Sequence, residues 1–398
     1  MPKVLFVDHV SRILGGAEVN LIELLPALAA DQAWVLACAC SQESPLASAL
    51  KGQGVTQFGY SLPAQLNQLR LVGRSFSLLA KWQGWRALQS ARAGLNHIIE
   101  QWRPDAVVSC TNKDHFCAGP VCKRTGLPSI WWINDILSPA FFPWSVRRLF
   151  RSQARRSGAW LVAVSEFVRQ ALIAEGVSSD RVVTIRNGIP LARYARRDRG
   201  LLRARFAIPP DALLVGLVGR FTPWKGQEFF LRIANLWSQK SELIHFVLIG
   251  QAFNEDHAYE AGLKRFVVDH NLERSVHFVP FQSDIAAVLS DLDVLMHTST
   301  KPEPFGRVLI EAMAVGVPVI AAQAGGVGEI LVHGKEGLLA EPGDLGAYAG
   351  ALGELLESSA ARQTMAQAAR RRVEQEFTIE RVRKQFEQLL SSVCPAPS

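Results

Sequence analysis

Between Ser44 and Ile99 the chain carries no aspartate or glutamate. Its six cysteines, at 38, 40, 110, 117, 122 and 394, include no C-x-x-C pair and no companion pair of histidines. That spacing speaks against a zinc module, and we read the six as reduced thiols that fill a core. Long apolar runs are missing too. The longest, from Ala312 to Ala324, is broken by Gly316 and Pro318 and is too short to span a bilayer. Met1-Pro2-Lys3 leads straight into the strand-like "VLFVDHV", which gives no sign of a secretory leader. There is no low-complexity tract and no short repeat, which excludes a disordered chain or a solenoid. No nucleic-acid-binding motif occurs.

What is present is bulk apolar sequence and an uneven charge. The 398 residues are 48% hydrophobic, enough for two cores. The net charge is +7, yet residues 61 to 160 alone hold 14 Lys/Arg against 4 Asp/Glu. A basic half of this kind points to an anionic partner such as a membrane surface or a phosphorylated substrate.

The apolar runs alternate with helical patterns. "KVLFVD", "AWVLACA", "DAVVSC", "SIWWI", "AWLVAVS" and "VVTIRN" read as strands of a first parallel sheet. Between Gly188 and Pro210 the alternation lapses. It resumes with "ALLVGLVG", "LIHFVLIG", "VHFV", "DVLMHT", "PVIAA" and "GLLA". The expected class is α/β, with two Rossmann-like domains whose parallel sheets face each other across a cleft. The expected boundaries are 1–190 for the first domain, 191–210 for a linker region and 211–376 for the second domain. Residues 377–398 are expected to form a helix packing back toward the first domain.

Five constellations carry candidate chemistry. "GRFTPWKG" follows the first strand of the second half. Gly219 allows close approach, and Arg220 and Lys225 suit a diphosphate, although two solvated surface cations would read the same way. In "EPFGRVLIE", Pro302 and Pro304 keep Glu303 off a helix that Gly306 begins. Glu311 falls roughly 7 Å further along the axis, at about 1.5 Å per residue. Phosphate at the helix start would then meet a carboxylate on either side, as in a nucleoside diphosphate sugar, while a capping acid and a surface Glu remain the plain alternative. "AGGVGEI" reads as a tight turn between strand and helix. "DLD" at Asp291 to Asp293 imitates a metal-binding D-x-D but reads as the end of a helix and the start of a strand. Arg70, Arg74 and Lys81, with the stripe Arg147, Arg151 and Arg155, lie among aromatic residues. They suit a membrane-facing surface or a solvated face over a core.

Together these segments resemble the retaining glycosyltransferases of family four, which have the GT-B fold. The "GRFTPWKG" segment, the Glu303-x7-Glu311 pair, "AMAVGVPVIA", "GGVGEI", the Gly15-Gly16 loop and "VSEFVRQAL" occur in the family's order. The resemblance implies that Arg220 and Lys225 stabilise a leaving diphosphate and that Glu311 holds the ribose. It implies that Glu303, Pro304, Phe305 and Gly306 lie at the donor sugar, amides near Arg307 and Val308 at phosphate, and Gly15, Gly16 and Gly219 beside the donor. The resemblance implies that the first domain binds the acceptor and the second the nucleotide sugar. Many members have a His after the strand that corresponds to "SIWWI"; here Asn134 and Asp135 stand there, with His115 as another possible sugar contact. Pro280 stands where many members have Gly.

The implied activity is retaining, metal-independent transfer of a sugar, hexosyltransferase-type, from a nucleotide sugar to an envelope glycan or lipid-linked acceptor. No cofactor is implied beyond that co-substrate. The implied place is the cytoplasmic face of an anionic membrane, peripherally bound, in lipopolysaccharide or polysaccharide synthesis. The alternatives are a sugar-nucleotide epimerase on the same fold and a catalytically silent sugar-nucleotide-binding subunit.

Overall fold

The computed structural model describes residues 1–10, 15–63, 66, 78–253 and 256–394, with the side chains of 78–82 outside that description. The chain divides into two compact units. Unit 1 is Met1–Asn187 with Ile379–Ser398, and unit 2 is Gly188–Thr378.

Unit 1 is built on seven strands: β1 (Lys3–Asp8), β2 (Val35–Cys40), β3 (Val55–Gly59), β4 (Ala106–Ser109), β5 (Ser129–Ile133), β6 (Trp160–Ala163) and β7 (Val182–Thr184). Their order is β3-β2-β1-β4-β5-β6-β7, and every pairing is parallel. A parallel sheet covered by helices on both faces needs strands that are apolar throughout, and "SIWWI" is buried at all five positions. β3 is the strand that the apolar runs do not announce. It lies at the sheet edge and is mostly half-buried or exposed, so "VTQFG" needs no continuous apolar run.

Unit 2 holds β8 (Leu213–Val218), β9 (Ile244–Ile249), β10 (Val276–Val279), β11 (Val294–His297), β12 (Val319–Ala322) and β13 (Leu338–Ala340). Their order is β10-β9-β8-β11-β12-β13, again all parallel. In each sheet the chain winds outward one way, then returns to the middle and winds the other. The reversal lies between β1 and β4 in unit 1 and between β8 and β11 in unit 2. Ligands of such sheets bind beyond the carboxyl ends of the strands at that reversal.

Residues 191–210, expected as a linker region, are part of unit 2 and are packed. Tyr194 is buried, and Leu201–Phe206 is a short helix. Asp291 accepts bonds from the Gly200 and Leu202 amides, and Asp293 pairs with Arg199 at 2.7 Å and Arg203 at 2.9 Å. "DLD" therefore closes the helix Ile285–Asp291, leads into β11 and ties this segment down. The final helix, Ile379–Val393, places Ile379, Val382, Phe386, Leu389 and Leu390 on one buried stripe. Phe386 meets Trp132 edge-on at 4.8 Å, so the chain ends by completing the core of unit 1.

His115 belongs to that core. It is buried, stacks on Trp131 with centroids 5.0 Å apart, and shares a 2.7 Å hydrogen bond with the Ser109 hydroxyl through Nδ1. Burial pushes its pKa down to about 3. The unfolded chain takes up this proton near pH 6.5, whereas the folded chain refuses it until about pH 3. Stability from this group is full above pH 6.5 and falls as the pH drops toward 3. His115→Gln should remove that dependence. Chemical denaturation at pH 7.5 and 4.5 should show wild type losing about 2–3 kcal/mol more than the variant. An equal loss in both would contradict the assignment.

Candidate functional site

The site in unit 2 forms at the β8/β11 reversal. After β8, Gly219 and Arg220 lead to a single 3-10 turn, Pro223–Lys225. That turn ends at Gly226, whose φ of +75° suits glycine. A Cβ there would sit 1.9 Å from the Thr298 carbonyl oxygen, so only glycine lets the loops after β8 and β11 touch. The Thr298 hydroxyl donates to the carbonyls of Lys225 (3.2 Å) and Gly226 (3.0 Å).

This closure brings Lys225 onto Glu303. The Lys225 ammonium lies 2.5 Å from Glu303 Oε1 and 4.3 Å from the centre of the Trp224 ring. The same oxygen accepts from His297 Nε2 at 2.9 Å and from the Ser299 hydroxyl at 2.6 Å. Among the described residues all donors to this carboxylate converge on Oε1. Glu303 is only 4% exposed. Burial alone would raise its pKa, but the charge of Lys225 and the bond from His297 outweigh it and hold the carboxyl far below the usual range.

The backbone of Glu303 is held as firmly. It bridges Gly325 in parallel fashion, and its carbonyl accepts from Gly326 N at 2.8 Å. Gly325 has φ +70°, and a Cβ there would lie 2.1 Å from the Glu303 carbonyl oxygen. The glycine cluster "AGGVGEI" thus seats the Glu303 loop as well as turning the chain.

Gly306, with φ +112°, starts the helix Arg307–Val315. The first amides of a helix have no partner within it, and they attract an anion. Phe305 is buried and meets Phe377 edge-on at 5.9 Å. One turn in, Glu311 Oε1 accepts from Arg307 Nε at 2.8 Å and from the Tyr194 hydroxyl at 3.1 Å. Arg220 is exposed and has no ion pair among the described residues. Unit 2 therefore brings together Gly219, Arg220, Lys225, Glu303, Pro304, Phe305, Gly306, Arg307, Val308 and Glu311. Sequence reasoning missed Tyr194, hidden in "PLARYARRDRG", and His297, visible only as a polar end to the strand "VLMH".

Unit 1 holds the other candidates. Gly15 caps the helix Gly16–Ala30, and its amide donates to Glu18 Oε2 at 2.6 Å. Asn134 follows β5, with Nδ2 at 3.5 Å from the Cys110 carbonyl, and Asp135 accepts from Asn112 at 2.6 Å. His115 is not a sugar contact, because it is sealed in the core behind Trp131. At the β1/β4 reversal stands His9 instead. Its Nδ1 lies 3.0 Å from Asp114 Oδ2, and the Thr111 hydroxyl donates to that same oxygen at 2.7 Å. Beside it Asp8 is buried with Oδ2 unpartnered, its pKa pushed well up by burial and then by Glu18 and Asp114. The strand-end position of Asp8-His9 and the Thr111-x-x-Asp114 cap were the available signals.

The expected basic stripe is corrected. Arg147 forms an ion pair with Glu175, and Arg151 donates to the Glu175 carbonyl at 2.7 Å. Both clamp a loop. The outward face of Trp144–Ser157 shows Trp144, Arg148, Leu149, Arg155 and Arg156. Arg70, Arg74 and the side chain of Lys81 lie outside the described residues. Among the described residues no group of three or more His, Cys, Asp or Glu could hold a metal ion, and no helix is long and apolar enough to cross a membrane.

Comparison with known proteins matches residues 14–193 to the family model "Glycosyltransferase Family 4" and residues 198–372 to "Glycosyl transferases group 1". D-inositol 3-phosphate glycosyltransferase of Mycobacterium tuberculosis is 30% identical over 198 residues, 49% of this chain and 40% of that protein. The match thus spans less than half the length of those curated relatives. Anabaena HepE in complex with UDP and glucose is 25% identical with a TM-score of 0.84, covering 98% of this chain and 100% of that one. Its complex with UDP-glucose gives 27% and 0.82, covering 98% and 99%.

In the Lys225–Glu303 pair the carboxylate is buried, so loss of the pair should register in stability. Lys225→Met strands a buried carboxylate and should cost about 3 kcal/mol or more in chemical denaturation. Lys225→Met with Glu303→Gln should cost less than the two single changes added together, because the neutral amide keeps bonds to Ser299 and His297. Strict additivity would show that the pair is not coupled.

Proposed function

The chain belongs to the group 1 glycosyltransferases of family four, and on that premise we propose that it transfers a sugar from a nucleoside diphosphate sugar to a glycan or lipid-linked acceptor with retention of configuration. The observation that carries this reading is the Lys225–Glu303 clamp beside the open helix start at Gly306. A diphosphate at the amides of Arg307 and Val308 would lie between Glu303 on the sugar side and Glu311 on the ribose side. In the reaction the bond from anomeric carbon to phosphate oxygen breaks, and its electron pair leaves with the diphosphate. The acceptor oxygen bonds to the same face of that carbon, and its proton passes to the departing phosphate.

Each side chain then has a task. Arg220, exposed and with no ion pair among the described residues, meets charge growing on the diphosphate. Lys225 spends one donor on Glu303 and keeps two for phosphate. These cations take the part that a metal plays elsewhere, so transfer is proposed to need none. Glu303 orients the sugar and offsets positive charge on its ring. Tyr194 and Arg307 hold one oxygen of Glu311, which leaves the other for ribose hydroxyls. In unit 1, His9 is fixed by Asp114 through Nδ1, so Nε2 is available to an acceptor hydroxyl. HepE was captured with UDP and UDP-glucose, which makes these the first probes for this chain. The basic excess and the exposed Trp144 favour docking at the inner face of an anionic membrane, where an envelope glycolipid is built.

UDP at about 100 times its dissociation constant should stabilise the protein by about 2.7 kcal/mol in thermal unfolding. Arg220→Ala should cut turnover by roughly 10² to 10³, with EDTA leaving the wild type active. No stabilisation by any nucleotide sugar, or strict dependence on a divalent ion, would refute the proposal. The acids should separate under varied donor concentration. Glu311→Gln should mainly raise KM, because ribose is held alike in ground and transition states, whereas Glu303→Gln should mainly lower kcat. Equal effects on both constants in both variants would remove the division of roles.

A further inference from the structure

Unit 1 has a polar cavity beside β6 and β7, at one edge of its sheet, whereas the β1/β4 reversal lies in the middle. It has a volume of about 620 Å³ and lies between the helix Trp144–Ser157 and the segment that enters β7. Gly158 and Ala159, just before β6, and Ser178, Asp180 and Arg181, just before β7, help to line it. These are amino ends of strands, so the cavity is separate from the reacting edge.

Its charge is one-sided. Arg148, Arg151, Arg155, Arg156 and Arg181 line it, with Asp180 as the one acid. The helix itself carries five arginines and no acid. Asp180 accepts from the Ser178 hydroxyl and forms a loose ion pair with Arg181 at 3.8 Å, so one acid faces five arginines. Arg151 donates to a neutral carbonyl and has no carboxylate partner among the described residues. Arg155 and Arg156 have no carboxylate partner among the described residues. Both lie in the last turn of the helix, where the dipole favours cations, and this fixes their place without using their donors. Arg181 rests over Trp160 at 5.2 Å, a contact that orients the guanidinium. Converging guanidinium groups match phosphate oxygens in pairs.

The same helix has an apolar end. Trp144 is 61% exposed and Leu149 is 46% exposed, with Arg148 stacked on the Trp144 ring at 5.4 Å. An exposed Trp and Leu beside a nest of arginines fit an interface with headgroups on one side and acyl chains on the other.

We infer that this cavity binds the phosphate group of an anionic lipid headgroup and so fixes unit 1 on the membrane at one defined point. The inference rests on the membrane reading above and adds to it a site with stereochemistry. The test is sedimentation of the whole chain with vesicles of phosphatidylcholine alone and of equal parts phosphatidylcholine and phosphatidylglycerol. Wild type should bind the second and not the first. Arg155→Gln with Arg156→Gln should weaken binding about tenfold or more, whereas the charge-matched control Lys51→Gln with Lys123→Gln should change it less than about twofold. Inorganic phosphate should displace the protein better than sodium chloride of equal ionic strength. An unchanged response to UDP in thermal unfolding would show that the arginine variant is folded. Failure of wild type to bind anionic vesicles would overturn the membrane reading and this site together. Binding that falls equally in the control, or that chloride and phosphate weaken alike, would overturn the site alone. Stabilisation by inorganic phosphate without vesicle binding would assign the cavity to a soluble anion and overturn the lipid.

Discussion

One oxygen of one carboxylate organises unit 2. Glu303 Oε1 receives a lysine from the turn after β8, a histidine from the end of β11 and a serine from the loop that follows it. A buried charge is tolerated only when it is paired and hydrogen-bonded, so these three donors are a condition for placing Glu303 at all. Satisfying them requires the two loops to close on each other. Gly226 permits that closure by allowing the Thr298 carbonyl to approach. Gly325 and Gly326 supply the same close contact from the other side. Among the described residues the second carboxylate oxygen has no donor, which is what a ligand-binding acid needs.

The second acid repeats the plan with different partners. Glu311 gives one oxygen to Arg307 and Tyr194, one turn inside the helix that Gly306 begins. Two preorganised carboxylates therefore flank one helix start. Preorganisation matters because dipoles and charges already in position do not have to reorganise as the reaction proceeds. Asp291 and Asp293 make the reverse case. Their carboxylates are consumed by arginines and amides that fasten residues 191–210, so an acidic pair of suggestive spacing has a purely architectural use.

Much of this was legible beforehand. Strands buried on both faces must be apolar along their length, so all twelve named runs announce themselves and only the edge strand β3 stays silent. "EPFGRVLIE" also declared itself, because two prolines fix a loop and a glycine starts a helix. The contacts that need the folded chain were not legible. Tyr194 reaches Glu311 across 117 positions, and His297 meets Glu303 through a turn whose shape no periodicity reveals. The arginine stripe was misread for a related reason. Spacing of i, i+4 and i+8 puts Arg147, Arg151 and Arg155 on one face, but it cannot show that Glu175 waits beside the first two.

Unit 2 is proposed to hold a nucleoside diphosphate at the β8/β11 reversal, with the two acids on either side. A crystal structure of the protein soaked with UDP-glucose tests it most directly. The account predicts diphosphate oxygens on the amides of Arg307 and Val308 and on Arg220 and Lys225, ribose hydroxyls on Glu311, and the sugar against Glu303. A nucleotide held at the amino ends of the strands, or one that leaves the Lys225–Glu303 loops untouched, would contradict it.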